Sequence, residues 1–197
     1  MVDALDTLLQ RAEAVHGHMC AGQILGVRMA LLGLKTLNIE DPLGADRKRL
    51  VTFVEIDRCA TDAISMVTGC RLGKRTLKFR DWGKMAATFV DLSQDAGVRI
   101  VALETSRDLA RELHPEIESK SKQQMLAYRE LDDEQLFRIH RVRAHVDAAD
   151  LPGYRADRAV CARCGEGINF ERFEEIAGEK LCLACSHPEL RYWTSQP

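Results

Sequence analysis

Two knuckles, Cys161-Ala162-Arg163-Cys164 and Cys182-Leu183-Ala184-Cys185, constrain this chain more tightly than any other feature in it. CxxC pairs at this separation put four thiolates around one tetrahedral zinc, at about 2.3 Å each. The residues between them carry few large apolar groups, so the metal must supply most of the folding free energy of the segment. Gly165 and Gly167 permit the tight turn that aims backbone amides at sulfur. Four sulfurs leave zinc no open position, which makes this ion structural. His187, just past the last cysteine, is not counted as a ligand. The tail, residues 155–197, therefore reads as a zinc ribbon. Between Cys161 and Tyr192 it sets Arg163, Arg172, Lys180 and Arg191 against Glu166, Glu171, Glu174, Glu175, Glu179 and Glu189. That acidic balance disfavours phosphate binding and points to protein docking or a lid over the main domain.

The other three of the seven cysteines, Cys20, Cys59 and Cys70, lie in the body of the chain. The start lacks a basic segment followed by an apolar one, and no run approaches the roughly 18 apolar residues a membrane span requires. A cytoplasmic location follows as the expectation, and in a reducing compartment cysteines serve as ligands or reactive thiols before disulfides. The net charge of −2 gives no electrostatic case for nucleic acid as a partner.

Among these body cysteines, Cys20 lies in the stretch His16-Gly17-His18-Met19-Cys20-Ala21-Gly22-Gln23, directly before an apolar helix-forming run. Imidazole and thiol groups crowded this closely suit a transition metal. Apolar spacing predicts helices over residues 3–15 and 21–37, with Gly26, Ala30 and Gly33 as small residues for close packing along the second. Residues 50–56 read as a central strand that delivers Asp57-Arg58-Cys59, followed by a helix over 60–68. Thr76–Arg80 and Lys84–Leu92 read as two strands joined by a hairpin-type turn at Asp81-Trp82-Gly83, and 98–103 as another. Residues 106–136 are polar and helical, with breaks near His114-Pro115 and Leu131-Asp132, and read as a solvated helical layer, with a dimerisation arm as the alternative. Phe137–Val146 reads as a last strand, and Asp150-Leu151-Pro152-Gly153 as the linker ending a main domain of residues 1–150. The expected fold is α+β, a mixed or antiparallel sheet layered with helices, plus the small zinc ribbon.

Helix geometry then sorts the body cysteines. Nine helical residues from 60 to 68 span roughly 13 Å, so Cys59 and Cys70 cannot share an ion within one chain. His18, Cys20 and Cys59 are the predicted ligands of a second, core transition metal, taken as zinc. His16 is placed behind them, where it would orient a ligand or substrate, and Cys70 and Asp62 join it as candidate catalytic residues. Thr68-Gly69-Cys70-Arg71-Leu72-Gly73-Lys74-Arg75 fails the spacing of a phosphate loop, although Lys74 and Arg75 remain candidates for binding an anionic substrate.

The motifs His16-Gly-His-Met-Cys20-Ala-Gly22 with Gly26, Asp57-Arg-Cys59-Ala-Thr-Asp62-Ala63, and Thr68-Gly-Cys70-Arg-Leu-Gly73-Lys74 resemble the E-subunit family of formylmethanofuran dehydrogenase. The tail resembles the DksA/TraR type of zinc finger, which some members of that family carry. The resemblance implies a core similar to a domain of glyceraldehyde-3-phosphate dehydrogenase, metal at the His/Cys cleft, and a homodimer. It also implies association with molybdenum- or tungsten-dependent oxidoreductase subunits that hold the catalytic chemistry, since this chain offers no evident site for a molybdopterin or iron–sulfur cluster. Three functions stand as alternatives. They are an accessory protein of such an oxidoreductase, a stand-alone enzyme with an open core metal position, and a regulatory protein that docks through its ribbon.

Overall fold

The computed structural model describes residues 4–194. It parts the chain into two compact units, Met1–His145 and Val146–Pro197. The division falls ahead of Asp150, which within the second unit accepts a hydrogen bond from Arg172 at 2.8 Å.

The first unit opens with α1 (Leu5–His16) and α2 (Ala21–Thr36). Gly17, in the left-handed region at φ +92°, ends α1 and returns its N–H to Glu13 O; a side chain there would be strained. Next come β1 (Leu50–Val54), α3 (Cys59–Thr68), β2 (Leu77–Phe79), β3 (Ala86–Asp91) and β4 (Ala96–Ala102). The unit ends with α4 (Thr105–Leu113), α5 (Lys120–Glu130), α6 (Asp133–Leu136) and β5 (Phe137–Val142). Asp132 and Gln135 form a reciprocal capping box at the start of α6. The fold is α+β, with a mixed sheet packed against helices.

The sheet runs in the order β2-β1-β3-β4-β5. This corrects the expected hairpin across Asp81-Trp82-Gly83, because β1 lies between β2 and β3. β2 pairs parallel to one edge of β1, and β3 pairs antiparallel to the other. The physical cause is in the connection itself. Its amides do not bond across a two-strand turn; Arg80 N–H donates to Val54 O, and Trp82 and Lys84 N–H both donate to Glu55 O, at 3.0–3.2 Å. The connection is thus wrapped over the carboxyl end of β1.

One face of the sheet carries the core. Leu50, Val54, Phe89, Val98 and Ile100 are buried against Leu8 and Leu9 of α1, Ile24 and Val27 of α2, and Tyr128 of α5. The glycines of α2 each have a partner. A Cβ on Gly26 would stand 2.5 Å from Ala60 O and 2.8 Å from Ala63 Cβ of α3, and one on Gly33 would collide with the Phe89 ring. Arg28 fastens the same helix to the polar layer, donating to the carbonyls of Tyr128 and Leu131 and to Asp133 Oδ1.

At the sheet's other end Arg49 donates to Asp91 Oδ2 at 2.6 Å and to Asp46 Oδ1 at 2.7 Å. Burial alone would push the Asp91 carboxyl up, but Arg49 together with Ser93 more than offsets it and holds the group below its ordinary 3.8. Asp46 is lowered by the backbone N–H of Asp41 and then by Arg49.

The second unit holds β6 (Ala159–Val160), β7 (Gly167–Ile168), β8 (Phe173–Ile176), β9 (Glu179–Cys182) and α7 (Leu183–Ser186). Two antiparallel ladders, β6–β7 and β8–β9, make up its sheets. Its buried apolar cluster is only Cys161, Ile168, Leu181 and Cys185 among the described residues. Half of that core is metal-binding sulfur, far too little apolar surface to hold the unit without the ion.

Two stability measurements test this packing. Gly26→Ala gains helix propensity, yet urea titration should show it less stable by about 1–3 kcal/mol, because backbone of α3 occupies the space of the new methyl. Carboxyls with depressed pKa contribute stability that is present above their unfolded value and lost as pH falls through the folded one. Wild type should therefore lose melting temperature steeply below about pH 3.8. Arg49→Met should start lower, because it leaves the buried Asp91 carboxylate without its cation, and show a shallower acid slope.

Candidate metal centres

The tail site is assembled by hydrogen-bonded knuckles. Gly165 N–H donates to Cys161 O at 2.9 Å with Gly165 at φ +76°, and Cys161 N–H donates to Glu166 O at 2.9 Å. The four sulfurs of Cys161, Cys164, Cys182 and Cys185 lie within 4.8 Å of one another, with Cys164 and Cys182 3.9 Å apart. Zinc–sulfur bonds of about 2.3 Å place the corners of a tetrahedron about 3.8 Å apart, so this spacing matches a bound ion.

Electrostatics reach the same conclusion. Backbone N–H groups of Cys164 and Cys182 bring the Cys161 thiol down to about 6. Cys164 also receives a lowering hydrogen bond, from the Glu166 backbone, but burial and the neighbouring thiols of Cys161, Cys185 and Cys182 push it up to about 12. Four thiols this close cannot all ionise unless a cation joins them. Arg191 adds a hydrogen bond to Cys185 Sγ at 3.4 Å, while Arg163 donates to Cys185 O. His187 is paired with Glu174 at 2.7 Å and with Glu189 at 3.4 Å, and stands outside the sulfur group.

The core site forms where three helix ends meet. His16 is the last residue of α1, Cys20 is the N-cap of α2, and Cys59 is the first residue of α3. Their donor atoms lie within 4.8 Å of one another. The structure thus sets His16 beside the two cysteines, where the sequence pattern favours His18. The turn at Gly17 explains the exchange. Residues 16 and 20 flank the reversal and converge, whereas His18 stands on its exposed outer side, its ring 4.8 Å from that of His16.

His16 Nδ1 lies 2.9 Å from Asp62 Oδ2, one turn along α3 from Cys59. A carboxylate partner accepts a hydrogen bond from Nδ1–H, which keeps the proton there and leaves Nε2 as a lone-pair donor. His16 Nε2 is buried with no hydrogen-bond partner. Gln23 is fully buried, and its Nε2 donates to Cys59 O while its Oε1 also lacks a partner. Because a carbonyl can only accept, this contact fixes the orientation of the Gln23 amide. Gly22 makes room for the arrangement, since a Cβ there would stand 3.2 Å from Cys59 Cβ and 3.7 Å from Cys20 Sγ. Burial, followed by hydrogen bonding and charge repulsion from Cys20, pushes the Cys59 thiol up. These effects override the thiolate preference of a helix amino terminus.

Cys70 lies elsewhere. It is buried on the core face, where Thr52 Oγ1 donates to its sulfur at 3.4 Å, and burial pushes its pKa up. It is a neutral packing thiol in this environment, with no place in the donor group. Asp62 lines a cavity of about 530 Å³ together with Arg11, Val15, Leu43, Met66 and Arg71. Lys74 and Arg75 do not line it; Lys74 is exposed, and Arg75 holds a left-handed φ of +59°. Sequence reasoning missed Gln23, Arg11 and Arg71. Gly17 was the available signal for His16, since a glycine helix terminator turns the chain so that the last helical residue faces the start of the next helix.

The FmdE family, described as belonging to the molybdenum formylmethanofuran dehydrogenase operon, matches residues 15–145, and the prokaryotic dksA/traR C4-type zinc finger matches residues 155–189. A probable S-adenosyl-L-methionine-binding protein of Archaeoglobus fulgidus is 38% identical over 97 residues. The match covers 49% of this chain and only 26% of that protein, so the chain spans about a quarter of the relative's length. A tungsten formylmethanofuran dehydrogenase FmdE-like protein of Syntrophus aciditrophicus superposes with a TM-score of 0.65 over 96% of this chain and 95% of that one. At 21% identity that likeness is one of fold. The four-cysteine cluster within a zinc-finger match supports a structural metal in the tail. Cys185→Ser should lower zinc content by one equivalent per chain and remove amide-exchange protection from residues 159–186, leaving the protection of β1, β3 and β4 intact.

Proposed function

This chain belongs to the FmdE family, and on that premise we propose that it is a metal-binding accessory protein of a molybdenum- or tungsten-dependent oxidoreductase of the formylmethanofuran dehydrogenase type. In this reading a second ion, zinc by the chemistry of its donors, sits in the core between His16, Cys20 and Cys59. The observation that carries it is the orphaned His16 Nε2, buried beside two thiols and oriented from behind by Asp62. An unsatisfied buried acceptor is costly, and a cation is the partner that would satisfy the nitrogen and the sulfurs together.

Two thiolates and one imidazole suit zinc and leave it room for one further ligand. Bound there, zinc would supply Lewis acidity and lower the pKa of whatever protic group it holds. The chain's own residues prepare that position. Asp62 keeps the proton on His16 Nδ1, Gln23 holds the Cys59 backbone, and the free Gln23 Oε1 is an acceptor suited to a proton-bearing ligand. That open acceptor favours the second reading, a stand-alone metal-dependent enzyme acting on a small substrate. The cavity shared by Asp62, Arg11 and Arg71 would then receive an anionic part of the substrate.

Metal analysis of the purified chain should find two zinc equivalents. Cys59→Ser should leave one, and Asp62→Asn should retain two at saturation while binding the core ion about 10- to 100-fold more weakly. A single equivalent in wild type, lost with the tail cysteines, would remove the core site. Affinity purification from the native cell then separates the two readings. Recovery of a molybdenum or tungsten enzyme supports the accessory role, and a homodimer free of other subunits supports the enzyme.

A further inference from the structure

The face of the sheet opposite the core carries a recess that neither metal centre uses. Register places Lys78, Phe53, Thr88, Arg99 and His140 in one row across β2, β1, β3, β4 and β5. Above this row lies a cavity of about 320 Å³ bordered by Phe53, Trp82, Arg80, Arg99 and Arg143. On its floor Glu55, 2% exposed, receives Arg99 Nε and Nη2 at 2.6 Å each. That bidentate pair neutralises one arginine and fixes its plane. Arg80 and Arg143 stand on the border as further cations, Arg143 in an exposed pair with Asp95 Oδ2 at 3.6 Å.

Trp82 is the second observation. Its indole is 61% exposed, an unusual situation for the largest apolar side chain. The exposure does not come from a loose turn. Trp82 N–H and Lys84 N–H both bond to Glu55 O, and Gly83 N–H bonds to Asp81 Oδ1. Lys84 Nζ stands 5.8 Å from the Trp82 ring centroid, and the Arg80 guanidinium 5.9 Å from that of Phe53. Aromatic surface held open on a pinned turn, beside arginines and a buried floor, offers stacking to a ring and charge to an anion. The volume is at the small end of ligand pockets, which run from roughly 300 to 1,000 Å³, so the occupant is one ring system with one anionic group.

We propose that this recess binds a mononucleotide, its base stacked on Trp82 and its phosphate held by Arg80 and Arg143. The site lies within the first unit and does not depend on an ion in the core cleft.

The chain has two tryptophans, so Trp193→Phe leaves Trp82 as the sole indole reporter. The full-length, zinc-replete Trp193→Phe protein should show saturable fluorescence quenching by adenosine 5′-monophosphate. Affinity should be at least about tenfold higher than for adenosine or inorganic phosphate alone, because base stacking and phosphate charge each contribute that much. Arg80→Gln/Arg143→Gln should lose about tenfold or more, since each guanidinium supplies a charge-assisted bond. Trp82→Leu, followed by calorimetry, should lose a similar factor with its melting temperature unchanged. No saturable response at millimolar nucleotide, equal affinity for phosphate and nucleotide, or undiminished binding in either variant would overturn the proposal.

Discussion

Contact between α2 and α3 is the constraint on which the body of this protein depends. With no side chain at Gly26, the two helices approach until a Cβ there would meet the carbonyl and Cα of Ala60. Close approach near Gly26 brings their amino-terminal ends together at Gly22, where Cys20 and Cys59 stand side by side. A larger residue at either glycine would push apart two thiols separated by 39 positions in the chain. Core packing and the candidate metal centre therefore share one cause.

The same helix pair also sets the polarity of the cleft. α3 supplies Cys59 from its first position and Asp62 one turn later, so a single helical turn carries both a donor and the carboxylate that orients another donor. α1 ends at a left-handed glycine that directs His16 inward, and α2 begins with Cys20 and supplies Gln23. Polar atoms left without partners, His16 Nε2 and Gln23 Oε1, collect at this junction. Such groups are rare in folded interiors, and two at one place mark the region that packing alone does not complete.

The ribbon illustrates the opposite balance. Its apolar cluster is too small to fold it, and its knuckle turns hold sulfurs at the spacing of a zinc tetrahedron. There the metal is the core. In the body, an extensive apolar layer from α1, α2 and α5 folds onto the sheet by itself, and the cleft is an addition to an already stable frame. A site of the first kind is legible from spacing, because all four ligands lie on two local turns. One of the second kind is not, because its ligands come from three separate helix ends.

The sequence by itself determined the zinc ribbon, nearly every helix and strand of the first unit, and the residue types of the core cleft, since these rest on spacing and periodicity within short segments. Tertiary structure alone decided which histidine joins Cys20 and Cys59. His16 and His18 are both plausible in one dimension, and only the reversal at Gly17 separates them. It also decided that Asp62 orients His16, that Cys70 is buried against Thr52, and that β1 lies between β2 and β3. Each of these turns on pairing between residues far apart in the chain. Short-range patterns state which groups are available, and the close packing of α2 on α3 selects which of them meet.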